Sequence, residues 1–246
     1  MTKTPLPESR SPLSPRQAFW AGLRATFPLV VGATPFGIIF GALAVSGALS
    51  SSGTQAMSAF VFAGSAQFIS ISLINAGASL AVIIGTTFVV NLRHMLYSAT
   101  LGPHFRGLPQ RWMIPLAFWL TDESFVASVN FFNANEDREA KKYFLLGSEL
   151  FMYLNWQWVT WLGIRLGQSI PNPGQWGLDF ALVVTFLGIL VPQIRNRPTI
   201  ASALVAALVA LLARNLPNQL GLLLAALLGI ATGLALEARQ SKVEPA

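Results

Sequence analysis

Long apolar runs separated by short polar clusters dominate the chain. A helix crossing about 30 Å of hydrocarbon needs roughly 20 mostly apolar residues. That ruler selects 26–48, 55–74, 79–101, 112–132, 143–166, 177–194, 199–213 and 219–236. The predicted fold is all-α, a polytopic membrane helix bundle of eight transmembrane segments. Because the 199–213 run covers only about 22 Å at about 1.5 Å per residue, seven segments is the alternative. Pro28, Pro35, Gly32, Gly37, Gly41, Gly47 and Gly64 interrupt the first two segments. Broken membrane helices survive where neighbours or cavity water satisfy the freed backbone groups, and paired broken segments point to a transporter's midplane site. The competing reading is close packing, since Gly37 with Gly41 and Gly229 with Gly233 form small-xxx-small steps. For Pro35 a functional break and a packed kink both stay open.

Composition sharpens this picture. Of 246 residues 53% are hydrophobic and 11% charged, against about 25% charged in soluble domains. A chain this poor in charge cannot coat a water-facing globule. The formal charge of +6 does not call for nucleic acid, because the basic residues fall mostly between apolar runs, where they set membrane orientation. The absence of cysteine and the presence of two histidines exclude disulfides, iron–sulfur centres and thiolate zinc sites, and no cofactor is implied. Residues 1–17 combine Pro, Ser and charge and read as a disordered cytoplasmic tail. Residues 18–240 then form one transmembrane domain and 241–246 a C-terminal tail. A signal peptide cut within Ala44-Val45-Ser46-Gly47-Ala48 is the alternative for the first segment, but Pro28 and Pro35 interrupt an apolar core longer than the usual one of about 7–15 residues.

If all eight segments span and the N-terminus is cytoplasmic, eleven basic residues lie inside: Lys3, Arg10, Arg16, Arg24, Arg138, Lys141, Lys142, Arg195, Arg197, Arg239 and Lys242. Four lie outside, namely Arg106, Arg111, Arg165 and Arg214. The asymmetry predicts both termini in the cytoplasm. Trp112, Trp158, Trp161 and Trp176 would then mark the outer interface.

Four charges fall in mid-segment, Arg93, Asp122, Glu123 and Glu149. Each is by default a functional candidate, because a charge at the bilayer centre is costly. At 100° per residue Thr87, Asn91, His94 and Ser98 share one stripe of the third segment, with Arg93, Tyr97 and Thr100 opposite. A helix polar on both sides faces other helices or a cavity. Counted from their segment ends, Arg93 and Asp122 differ in depth by only about 6 Å, so an ion pair of Arg93 with Asp122 or Glu123 is expected, either as a structural lock or as a site for a guanidinium–carboxylate and acid–ammonium pair. Glu149, in line with Tyr153, Trp156 and Thr160, is expected to snorkel or pair with a nearby lysine, with proton carriage as its alternative. Ser58, Ser65 and Ser72 recur every seven residues near Gln67 and read as a packing stripe or a pore lining. His94 is placed to titrate near neutral pH or to hold a structural bond; His104 sits in an outer loop. Ser65 with His94 is the one nucleophile–base pair worth naming, and nothing orients it. With no phosphate-cradling loop either, the chain does not read as an enzyme.

Three blocks, Phe62-Ala63-Gly64-Ser65-Ala66-Gln67-Phe68, Asn91-Leu92-Arg93-His94-Met95-Leu96-Tyr97 and Leu120-Thr121-Asp122-Glu123-Ser124-Phe125, together resemble the AzlC family of branched-chain amino-acid permeases. The resemblance is strongest over 25–130 and is carried to 236 by hydrophobic spacing; the Pro-rich tail lies outside the pattern. It implies a multi-pass protein of the bacterial inner membrane that exports branched-chain amino acids and works with a small hydrophobic AzlD-type partner subunit. A zwitterion with a branched aliphatic side chain needs an anion site, a cation site and an apolar slot. Arg93, or a helix N-terminus freed at Pro35, suits the carboxylate, with Asn91 and Gln67 nearby. Asp122 or Glu123 suits the ammonium, and Phe125, Phe36 or Phe68 the apolar wall. Without an ATPase, a proton or other cation gradient is the expected energy source, at about 2.3 kcal/mol per charge per 100 mV. Asp122, Glu123, His94 and Glu149 are the candidate proton carriers.

Overall fold

The computed structural model of the protein describes residues 13–47, 49–169, 194, 196–216 and 220–243. Among these there are helices and turns but no strand. The predicted segment at 177–194, apart from Ile194, and Trp176 with it, lies outside the described residues, as do residues 1–12 of the tail. The chain divides into two compact units, Met1–Gly32 with Leu96–Asn155 and Ala33–Met95 with Trp156–Ala246. Two long helices, α1 (Pro15–Ser46) and α8 (Arg138–Ser169), contribute their first halves to the first unit and their second halves to the second.

Helix α1 starts well ahead of the apolar run because Ser14-Pro15-Arg16-Gln17 is a capping signal. The Ser14 backbone N–H donates to Gln17 Oε1 at 2.9 Å, and Pro15 takes the position where no N–H is needed. The helix then runs unbroken through Pro28 and Pro35 to Ser46. Of the two readings left open for Pro35 the break is absent, and no helix N-terminus is freed there. A proline removes one backbone bond, and here close packing on a neighbour holds the helix together.

In the first unit, α1 and α8 run parallel. A Cβ added to Gly22 would strike the Phe144 carbonyl, one on Gly147 would strike that of Phe19, and Thr26 bonds Ser148 between them. After α5 (Arg93–Leu101) and a 3₁₀ turn (Gly102–Phe105) come two short helices, α6 (Gln110–Phe118) and α7 (Asp122–Ala134). The entry and the exit of this pair lie together at the N-terminal end of α8. Arg138 donates to the Arg106 carbonyl at 3.0 Å, Lys141 Nζ donates to His104 Nδ1 at 3.0 Å, and Lys142 sits 4.6 Å over the Trp112 ring. The turn between them reaches Tyr153, whose ring is 5.7 Å from that of Trp119, about 17–22 Å further along α8.

Residues 112–132 thus fold as a hairpin of two short helices and not as one continuous helix. Nine and thirteen helical residues add up to one span on a hydropathy ruler, which measures apolar length and is blind to direction. Three consequences follow. Arg106, Arg111, Trp112 and His104 belong to the end that carries Arg138, Lys141 and Lys142, not to the opposite face. Asp122 stands at the start of α7, just past the turn, and not part-way along one straight span. The expected count of eight segments is not confirmed among the described residues, where 112–132 is two helices.

The second unit holds another such pair. Helix α2 (Ser51–Phe60) runs against the second half of α8, with Ser51 Oγ accepting from Gln168 at 2.8 Å and Ser58 bonding Thr160 at 3.0 Å. The chain breaks over Val61–Ala63, and α3 (Gly64–Asn75) returns until Asn75 lies against Gly47, just before α2. The pair enters from the C-terminal end of α8 and turns at Trp156, about 18 Å in. The seven-residue serine stripe is cut in two by this break. Gly77, at φ +69°, ends α3 in the left-handed region glycine favours. Helix α4 (Leu80–Asn91) follows and meets α5 at Leu92, which keeps helical angles; 80–105 and 15–46 are the two stretches of described helix long and apolar enough to cross a membrane.

Gly37 and Gly41 pack on Val159 and Thr160 of α8, so these glycines serve packing. Helices α9 (Arg197–Leu212) and α10 (Leu220–Val243) pack on each other, where Ser202 Oγ donates to the Gly229 carbonyl at 2.7 Å, and α10 also touches α4. Gly229 and Gly233 face Ser202 as a packing step.

Candidate functional site at two helix breaks

Each break exposes backbone groups that a continuous helix would bond internally, and each is provided with polar side chains. In the second unit the α2–α3 break is braced by Gln67, which is fully buried. Its amide donates to the Val61 carbonyl at 2.8 Å and the Met57 carbonyl at 3.2 Å, and its oxygen accepts from Trp156 Nε1 at 3.0 Å. The residue expected to bind substrate therefore spends its hydrogen-bonding capacity on holding the break in this conformation.

One residue into α3, Ser65 Oγ accepts from the Arg93 guanidinium at 2.7 Å. A cation thus sits at the start of a helix, where the unbonded N–H groups are already positive. That is a place for an anion. Asn91, one residue before the α4–α5 joint, has a buried Oδ1 without a hydrogen-bond partner among the described residues. His94 Nδ1 lies 3.2 Å from the Asn91 carbonyl, and Ser65 is joined to Arg93, so the arrangement does not resemble a nucleophile–base pair. Phe68, fully buried with Phe40, Ala44 and Ile71, forms an apolar cluster that Phe36 joins.

The α6–α7 break in the first unit is built differently. Thr121 is the N-cap of α7: its hydroxyl accepts from the Ser124 N–H at 3.3 Å while Ser124 Oγ accepts from the Thr121 N–H at 2.9 Å. Asp122 and Glu123 occupy the first turn, where the helix dipole favours carboxylates. Asp122 Oδ1 accepts from the Tyr97 hydroxyl at 2.7 Å, and Tyr97 stacks on Phe125 at 4.4 Å. Arg93 and Asp122 thus belong to different units, each with a hydroxyl partner in its own.

Glu149 of α8 is fully buried in the first unit, and neither carboxyl oxygen has a hydrogen-bond partner among the described residues. The expected snorkelling or lysine pairing does not occur: Lys142 is bonded by Glu139 at 2.7 Å and Lys141 by His104. Glu149 lies some 17 Å into α8, too deep to reach the helix end.

The three blocks singled out in the sequence fall on interruptions. Residues 62–68 cross the α2–α3 break, 91–97 the α4–α5 joint and 120–125 the α6–α7 break. A family model described as AzlC protein matches residues 28–170, a stretch that contains both helical hairpins. The chain belongs to the AzlC family. An uncharacterized membrane protein of Archaeoglobus fulgidus is 34% identical over 88% of this chain and 94% of its own length. The branched-chain amino acid transport protein AzlC of Bacillus subtilis is 27% identical over 76% of this chain and 74% of its own. The inner membrane protein YgaZ of Escherichia coli is 26% identical over 77% and 80%. No solved structure matches. This member of the AzlC family is a helical membrane protein.

Sequence reasoning missed Trp156 as the partner of Gln67, Tyr97 as the donor to Asp122, and the α6–α7 break; Gly64, named among the interruptions of the second segment, adjoins the α2–α3 break. Thr121-Asp122-Glu123-Ser124 carried a signal, an N-cap followed by first-turn acids. Val61-Phe62-Ala63 carried none.

Proposed function

We propose that the chain is a gradient-driven secondary transporter exporting neutral branched aliphatic amino acids, such as valine, leucine or isoleucine, across the bacterial inner membrane. It works together with a small AzlD-type partner subunit. The observation that carries this reading is that the blocks on which the family resemblance rests coincide with broken helices bearing polar side chains, the arrangement by which carriers hold charged substrate groups within the bilayer. The name of the Bacillus subtilis relative supplies the substrate class.

The substrate carboxylate docks at the start of α3, held by Arg93 with Ser65 and Asn91 beside it, and the Phe36 and Phe68 cluster offers the apolar wall. The first turn of α7, with Asp122 and Glu123, handles the inward-moving cation. Gathering of Arg16, Arg106, Arg111, Arg138, Lys141 and Lys142 at one end of the first unit supports a cytoplasmic position for that end. Both termini are cytoplasmic in this reading.

Efflux of valine, leucine and isoleucine from cells expressing the chain, with and without the small partner, tests the proposal. Saturable efflux that collapses when the proton gradient is dissipated is expected. Efflux that never saturates and ignores every ion gradient is the behaviour of a channel and would replace the carrier reading.

A further inference from the structure

One buried charge has no partner in the mechanism above. Glu149 projects from α8 beside the α6–α7 break. One turn before it, Leu145 packs with Leu116 and Leu120 and lines a cavity of ≈ 60 Å³ with Leu101, Phe105 and Met113. One turn after it, Tyr153 meets Trp119. Glu149 therefore stands level with the point where α6 ends and α7 has not begun. Beside it Met152 is buried, the neighbouring Ser148 hydroxyl is bonded to Thr26, and Ser98 adds one hydroxyl to the cavity lining.

An ionised carboxyl in such a place, with no donor to either oxygen among the described residues, is among the costliest arrangements a protein can hold. Two things relieve it, a cation or a proton. A divalent metal cation wants a cage of about six oxygens, and no group of three or more His, Asp or Glu side chains able to hold a metal stands among the described residues. The titratable groups on the elements packed against this stretch include Tyr153, one turn on along α8 with its ring against Trp119. Arg24 of α1 is exposed. Tyr97 of α5 is bonded to Asp122 of α7, whose first turn also carries Glu123, and on α8 itself Lys141 and Lys142 are bonded to His104 and Glu139.

We propose that the Glu149 carboxyl is a proton-binding site at the α6–α7 break, loaded and emptied during transport. The step balances simply. One proton forms an O–H bond on a carboxyl oxygen and the group goes from anion to neutral acid; when water reaches the break in another conformation, the same proton leaves to it. This deepens the exporter reading, and rests on it only for what the proton drives.

The test uses the full chain with its partner. Infrared difference spectra of wild type against Glu149→Gln should show the carbonyl stretch of a protonated carboxylic acid at neutral pH in the wild type, missing in the variant; Glu149→Asp, which keeps the acid, should shift the band. In proteoliposomes Glu149→Gln should keep valine–valine exchange and lose all acceleration by an imposed pH difference. Absence of a protonated-acid band that Glu149→Gln removes would overturn the proposal, and so would a pH difference that drives Glu149→Gln as strongly as wild type. Failure of wild type to move any branched-chain amino acid sinks the exporter reading instead, and the infrared band alone then decides Glu149.

Discussion

Replacing Gln67 by Leu tests how the α2–α3 break is held. The side chains have similar volume, so the change removes polar bonds and leaves packing nearly intact. Three hydrogen bonds vanish: two to the Val61 and Met57 carbonyls and one from the Trp156 indole. The two carbonyls keep backbone donors, the N–H of Ala63 at 2.7 Å and that of Val61 at 2.9 Å, so only the indole N–H is orphaned. Side-chain hydrogen bonds in membrane proteins average about 0.6 kcal/mol with a maximum near 1.7, and an orphaned buried donor costs about 1–3 kcal/mol. The expected loss is about 2–3 kcal/mol, read by reversible unfolding in mixed micelles. Trp156→Phe removes the same indole donor, so the double variant should cost about 0.6–1.7 kcal/mol less than the sum of the singles. Wild-type stability in Gln67→Leu, or strict additivity with Trp156→Phe, would refute the idea that this amide braces the break.

Glycine packing between α1 and α8 gives a paired prediction: Gly163→Ala, whose Cβ meets the Ile38 carbonyl, should cost about 1–3 kcal/mol. Gly32→Ala, with nothing within 4 Å of its Cβ, should be neutral or stabilise by up to about 1 kcal/mol, and equal thermal shifts for both would contradict the packing. Tyr97→Phe should lower stability by about 1–2 kcal/mol through loss of the bond to Asp122, with a smaller effect in an Asp122→Asn background; an undiminished effect there would show that the hydroxyl acts elsewhere. Cysteines introduced at Gln110 and Glu136 of this cysteine-free chain should respond alike to an impermeant thiol reagent in intact cells, both protected. Labelling of one and not the other would restore 112–132 as a span.

Apolar length, small-residue packing and the identity of the polar blocks were legible in the sequence; direction was not. A hairpin of two half-length helices and one full span bury the same run of apolar residues, and only contacts between distant positions, such as Arg138 with the Arg106 carbonyl, tell them apart. Proline misled for a related reason. Pro35 removes one backbone bond but α1 stays helical against α8, whereas Val61-Phe62-Ala63 breaks without any proline because Gln67, from beyond the break, takes up the exposed carbonyls. Glu149 was noticed for its charge, but its isolation depends on Lys141 and Lys142 choosing His104 and Glu139, which no spacing rule reveals. The capping signals at Ser14-Pro15-Arg16-Gln17 and Thr121-Asp122-Glu123-Ser124 were readable and outweigh hydropathy in placing helix starts.

Counterflow in proteoliposomes tests the central claim most directly. Vesicles holding the chain and its partner are loaded with unlabelled valine, and entry of labelled valine is followed with no net gradient imposed. A carrier takes up label transiently above equilibrium, saturates with outside valine, and loses this overshoot in Arg93→Ala, whose guanidinium is assigned to the substrate carboxylate. Label that merely equilibrates, at the same rate in wild type and Arg93→Ala, would contradict both the carrier and the place assigned to its substrate.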